Sequence, residues 1–185
     1  MKLKDLLLDR KSTILTKWFD KIIESYPADS SDFLKKQKNR FANPVGHTIS
    51  EGIEDLFDVL VQGSDPEKVY PFLDEIIRIR TVQNFSPSQA VSFIFLLKKV
   101  LRVTMEREIK ENRLAGELAI LESRIDEMAL LSFDIYMKCK ERIYEIKADE
   151  VKRMTFRLIQ RANLICEVQD PGIESEIVLT KNIKG

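Results

Sequence analysis

The chain has 185 residues, with 30 basic side chains against 30 acidic ones, so it has no net charge at neutral pH and lacks the basic excess that nucleic-acid binding requires. No run of about 20 apolar residues is present to span a membrane, and the charged N-terminal MKLKDLLLDRKST is no signal peptide, so a cytoplasmic location is expected. Two cysteines, Cys139 and Cys166, and a single histidine, His47, give no disulfide framework and no zinc spacing; both cysteines are expected as free, half-buried thiols.

Taken in order, Lys2 to Tyr26 reads as one helix with Leu3, Leu6, Leu7, Ile14, Trp18, Ile22 and Ile23 on its apolar stripe. Pro27 ends it, and Trp18 is expected to anchor the core. Asp32 to Ala42 reads as a short basic helix. Asn43 and Pro44, as cap and first position, open a helix with Val45, Ile49, Ile53, Leu56, Phe57 and Leu60 facing inward. Gly46 and Gly52 within it are explained by close approach of a neighbouring helix, and Gly63 and Ser64 stop it. Asp65 and Pro66 open the next, whose stripe is Val69, Phe72, Leu73, Ile76 and Ile77. Asp74 and Arg78 lie one turn apart on its other side as an exposed ion pair.

Arg80 continues the buried stripe of that helix, where an apolar residue is expected. A guanidinium there must find carbonyls, a carboxylate or a ligand anion. Arg80 and Asn84 are therefore the candidate switch or ligand residues, with partners expected from the Asn84–Gln89 turn or the helix beginning at Asn43. Phe85 to Arg102 follows as a central helix, opened by the box Ser86-Pro87-Ser88-Gln89. Val91 to Leu97 leaves almost no polar face, so Phe93, Phe95, Leu96 and Leu97 are all expected to be buried, with Phe95→Ala costing about 3–5 kcal/mol. The helix runs on through Leu101, Met105 and Ile109 to a break near Gly116, where a hairpin turns the last helix antiparallel to the central one.

From Glu117 a heptad emerges: Leu118, Leu121, Ile125, Met128, Ser132, Ile135, Cys139, Arg142 and Ile146, which Val151, Met154, Leu158 and Ile165 extend. One rod from Glu117 to Ile165 would measure about 73 Å. A compact globule of this chain length is roughly 40 Å across. The helix must then break, Asp149 to Lys152 being the most polar point, or project, or pair with another subunit. Leu118, Leu121, Ile125, Met128 and Ile135 are the candidate dimer residues, and a homodimer is expected. Residues 1–168 read as one all-α domain around the buried central helix, with a long dimerisation helix from about 117, and 169–185 as a C-terminal tail.

No phosphate loop, GxSxG or HExxH is present, and adjacent acids such as Glu54–Asp55 diverge around their helices. No catalytic, cofactor or metal residues are assigned, and no enzyme is expected. FANPVGHTI, PFLDEIIRIRTVQNFSPSQAVSFIFLLKKVLR and the helix ending WFDKIIESYP together resemble the N-terminal sensor domain of RsbRD-type RsbT co-antagonist proteins of the bacterial stressosome system, over about residues 1 to 145. The resemblance implies a haemless, globin-like helical fold that dimerises and passes a stress signal down a C-terminal helix. The expected function is a non-enzymatic sensory and regulatory module acting on a protein partner, free-standing without a STAS or kinase output domain. The alternative is a small-molecule or haem-binding sensor with an internal pocket, although His47 falls early in the chain and a globin's proximal histidine falls late.

Overall fold

Eight helices build the fold, in a computed structural model that describes residues 2–36, 39–63, 68–161, 165–167 and 177–179. α1 is Leu3–Asp9, α2 Lys11–Ile23, α3 Ala28–Lys36, α4 Pro44–Gln62, α5 Tyr70–Val82, α6 Pro87–Thr104, α7 Glu106–Glu111 and α8 Ala115–Arg161. The expected single helix over Lys2–Tyr26 is two, because Arg10 leaves helical geometry at φ −100°, ψ 6°. α3 starts earlier than Asp32 and ends by Lys36, leaving Asn39 to Ala42 as a turn. The Asp65–Pro66 helix start lies outside the described residues.

The caps follow the residues that dictate them. Asn43 accepts from the Gly46 amide at 2.8 Å ahead of Pro44, and Ser86 and Gln89 cap each other reciprocally at the head of α6. Gly63 takes the left-handed conformation at φ 71° that closes α4. The two glycines inside α4 have different reasons. A Cβ on Gly52 would come to 2.9 Å from Ile76 Cδ1, the close helix approach expected. Gly46 is instead confined by the carboxamide of its own cap, Asn43, and not by a neighbouring helix.

The chain divides into two compact units, Met1–Cys139 and Lys140–Gly185. In the first, α6 packs against α2, α4 against α5, and α2 bridges to α4. Trp18, Phe57, Phe93, Ile94, Leu97 and Leu101 are wholly enclosed there. α6 is not apolar all round. Phe95 is 43% exposed and Leu96 half-buried, because Phe95, Lys99 and Arg102 recur at three- and four-residue spacing and share the outward face. Burying Phe95 would drag that charged face inward with it.

α6 ends at Met105, whose φ of −120° starts α7 afresh. The hairpin before α8 turns at Arg113, which holds a left-handed φ of 54°. The break thus falls near Gly116 as expected, three residues before it. Gly116 itself lies inside the first turn of α8, with nothing within 4 Å of where a Cβ would stand. Gly116→Ala is accordingly expected to raise stability by about 0.4–1 kcal/mol in urea unfolding, through lost freedom of the unfolded chain. The antiparallel course of α8 on α6 is fixed by two charge pairs running in opposite residue order: Lys98 Nζ to Asp126 Oδ1 at 2.8 Å, and Arg102 Nε and Nη2 to the two Glu122 oxygens at 2.6 Å each.

α8 is one uninterrupted helix of 47 residues, so of the three outcomes left open, a break at Asp149–Lys152 is not the one taken. Asp149, Glu150 and Lys152 flank Val151 there; glutamate and lysine are good helix formers, so polarity alone does not end the helix. Beyond it, β1 (Ile165–Glu167) and β2 (Ile177–Leu179) pair antiparallel, Cys166 opposite Val178. Ile165 therefore belongs to a strand and not to the helical stripe.

Candidate functional site

Arg80 sits in the last turn of α5 with no solvent exposure. Its Nη2 donates to Ser25 Oγ at 3.1 Å and to the Gln89 carbonyl at 2.9 Å. Gln89 belongs to the expected turn; Ser25, just past the end of α2, was not foreseen. Nothing in the periodicity marks Ser25, because it lies beyond the last residue of its helix and outside any stripe.

Three rings surround the guanidinium. Its carbon lies 4.2 Å from the Phe85 centroid, 5.4 Å from Tyr26 and 5.8 Å from Phe93. Tyr26 and Phe85 meet edge to face at 5.1 Å. The expectation of several hydrogen bonds holds only for Nη2. Nε and Nη1 of Arg80, and the Tyr26 hydroxyl, are buried with no hydrogen-bond partner. Burial lowers the Arg80 pKa from its ordinary value, and Tyr26 is the one neighbour that favours the cation. Burial likewise raises the Tyr26 phenol, and the nearby guanidinium partly opposes the shift. The phenol and the guanidinium are near enough to oppose each other's shift, although no atom pair between them meets hydrogen-bond geometry.

The turn joining α5 to α6 ties this niche to α8. Asn84 is exposed and adopts φ 61°, a conformation its short polar side chain tolerates, while its amide bonds Thr81 O at 3.2 Å. It shapes the turn, and its side chain is not part of the niche. Next to it, the Phe85 amide donates to Arg80 O at 3.1 Å. The Phe85 carbonyl accepts from the hydroxyl of Tyr136, a buried residue of α8, at 2.9 Å.

α8 carries two apolar stripes where the sequence showed one. Leu118, Leu121, Ile125, Met128 and Ile135 are all buried in the chain's own core, with Ser132 between them bonded back to Met128 O. A second stripe faces out. In the first unit it comprises Leu130 (71% exposed), Phe133 and Met137; in the second, Tyr144, Val151, Met154 and Leu158. These seven fall into one register of alternating three- and four-residue steps, with Lys140 and Lys147 at the two positions between them. Val151, Met154 and Leu158 thus continue the outer stripe, not the Leu118 one.

His47 lies in the first turn of α4, its Nε2 3.0 Å from Glu51 Oε1, beside an open hollow of about 300 Å³ bordered by Phe19, Leu34, Asn43 and Ser50. Among the described residues no three histidine, cysteine or acidic side chains converge as a metal site. Nor is any helix among them long and apolar enough to cross a membrane. Asp74 and Arg78 form their expected pair at 2.7 Å. Beside them, burial first and then Asp74 raise the pKa of the free thiol of Cys139. In a Cys166→Ser background, iodoacetamide is expected to alkylate Cys139 at pH 7 more slowly than in the urea-unfolded chain.

The described helices form an all-α fold with a buried arginine niche and one long helix, α8. The RsbT co-antagonist protein rsbRD N-terminal domain family matches residues 12–151, and the chain belongs to that family. Searches of curated proteins and of solved structures returned no match.

Proposed function

We propose that the chain is a non-enzymatic sensory module of bacterial stress signalling, located in the cytoplasm, that works as a homodimer paired along α8 and signals through protein contacts. The observation that carries this reading is the outer stripe of α8. Seven large apolar side chains at heptad spacing stand exposed on one chain, and a heptad seam is matched best by another helix of the same kind. A second copy supplies it at no further assumption. The core stripe supports the same division of labour: Leu118, Leu121, Ile125, Met128 and Ile135 hold α8 to its own domain, which leaves the outer residues for the partner. Lys140 and Lys147 interrupt the seam and lower its affinity, as polar seam positions do. Light scattering across a dilution series is expected to show a dimer at high micromolar concentration. A strict monomer at that concentration overturns the paired reading.

A further inference from the structure

We infer that Arg80, with the Tyr26 hydroxyl, forms a buried binding site for a small monovalent anion of the size of formate or nitrate, set behind the α5–α6 turn. The argument starts from donors. An arginine carries five N–H groups and accepts nothing. Only Nη2 is engaged, by Ser25 and Gln89. The N–H groups of Nε and Nη1 have no acceptor, nor does the hydroxyl of Tyr26. The rings do not meet this need. Phe85 at 4.2 Å engages the face of the guanidinium, while its N–H bonds point outward in the plane.

Charge gives the second reason. The guanidinium has no solvent exposure, remains protonated in a protein, and has only the neutral Tyr26 acting in its favour, with no carboxylate beside it among the described residues. A water molecule can accept the free N–H bonds but leaves the charge uncompensated. An anion answers both. The Phe85 ring that covers the guanidinium belongs to the residue whose carbonyl holds Tyr136 of α8, so binding at Arg80 bears on the helix that the paired reading uses. The inference rests on that reading for its purpose but not for its test.

The test uses the full chain and sodium formate or sodium nitrate, titrated at constant ionic strength against sodium gluconate, whose anion is too large to be enclosed. The melting temperature is expected to rise along a saturating curve, by roughly 5–10 °C at a hundredfold excess over Kd. Arg80→Met should remove the response. Tyr26→Phe, which deletes one donor and keeps the ring, should weaken Kd several-fold and serves if Arg80→Met fails to fold. A wild-type response that is absent, or that Arg80→Met and Tyr26→Phe both retain in full, overturns the site and leaves water as the occupant. A dimer indifferent to both anions sinks this inference alone; a monomer that binds them sinks the paired reading alone.

Discussion

Trp18→Ala is expected to cost about 3–5 kcal/mol, enough to leave little of a typical domain's stability. Trp18 is fully enclosed, so its removal opens a cavity that the surrounding helices close only in part. Its indole also does something an aliphatic anchor could not. Nε1 donates to the Phe93 carbonyl in the middle of α6 at 2.7 Å, and its ring lies nearly parallel to that of Phe93, 15° apart at 6.4 Å. One side chain thus joins α2 to α6 by packing and by polarity. Trp18→Phe separates the two contributions. It keeps most of the volume and loses the N–H, for a smaller expected loss of about 1–2 kcal/mol, since the α6 carbonyl keeps its helical partner. Equilibrium urea unfolding of both variants checks the ordering. A Trp18→Ala loss below that of Trp18→Phe would contradict it.

Charges placed on the two faces of α8 are expected to act on different equilibria. Ile125→Glu puts a carboxylate at a position with no exposure, and the protein should lose its cooperative unfolding transition. Leu130→Glu combined with Val151→Glu falls at positions 71% and 61% exposed, so helicity and melting of the isolated chain should change little. The dimer should suffer instead. Each apolar side chain withheld from water at the seam is worth about 1.5–3 kcal/mol, and a twofold interface counts it twice. Two such substitutions counted on both chains of the proposed dimer come to about 6 kcal/mol or more, roughly ten-thousandfold in Kd. Sedimentation over a dilution series, read alongside circular dichroism, distinguishes the outcomes. A Leu130→Glu/Val151→Glu protein that dimerises as tightly as wild type would remove the outer stripe from the interface.

What the sequence disclosed is governed by how local each signal is. Caps are local: Asn43-Pro44 and Ser86-Pro87 start α4 and α6 as read, because a side chain three residues away settles the matter. The breaks at Arg10 and Met105 were not legible. Neither carries proline or glycine to mark it. Arg80 was legible as a buried charge by its place on a stripe, but Ser25 and Tyr26 come to it from a different helix end, a relation no spacing contains. The heptad of α8 was legible as apolar repetition. What it packs against was not legible, since Leu118 and Ile125, buried within their own chain, carry the same signature whether the opposing helix is internal or external. Phe95 illustrates the same limit, as an unbroken apolar run does not say which of its members looks outward.

The two charge pairs between α6 and α8 have a consequence for motion. Lys98 faces Asp126 and Arg102 faces Glu122, so the partners are one helical turn apart on both helices. Sliding α8 by about 5.4 Å, one turn, would bring Arg102 opposite Asp126 in one direction, or Lys98 opposite Glu122 in the other. Either step preserves one bridge and strands the other. Rotation of α8 about its own axis breaks both at once. The pairing therefore adds a small penalty to slip and to twist alike, about 1 kcal/mol or less for each part-exposed bridge, and that penalty falls as ionic strength rises.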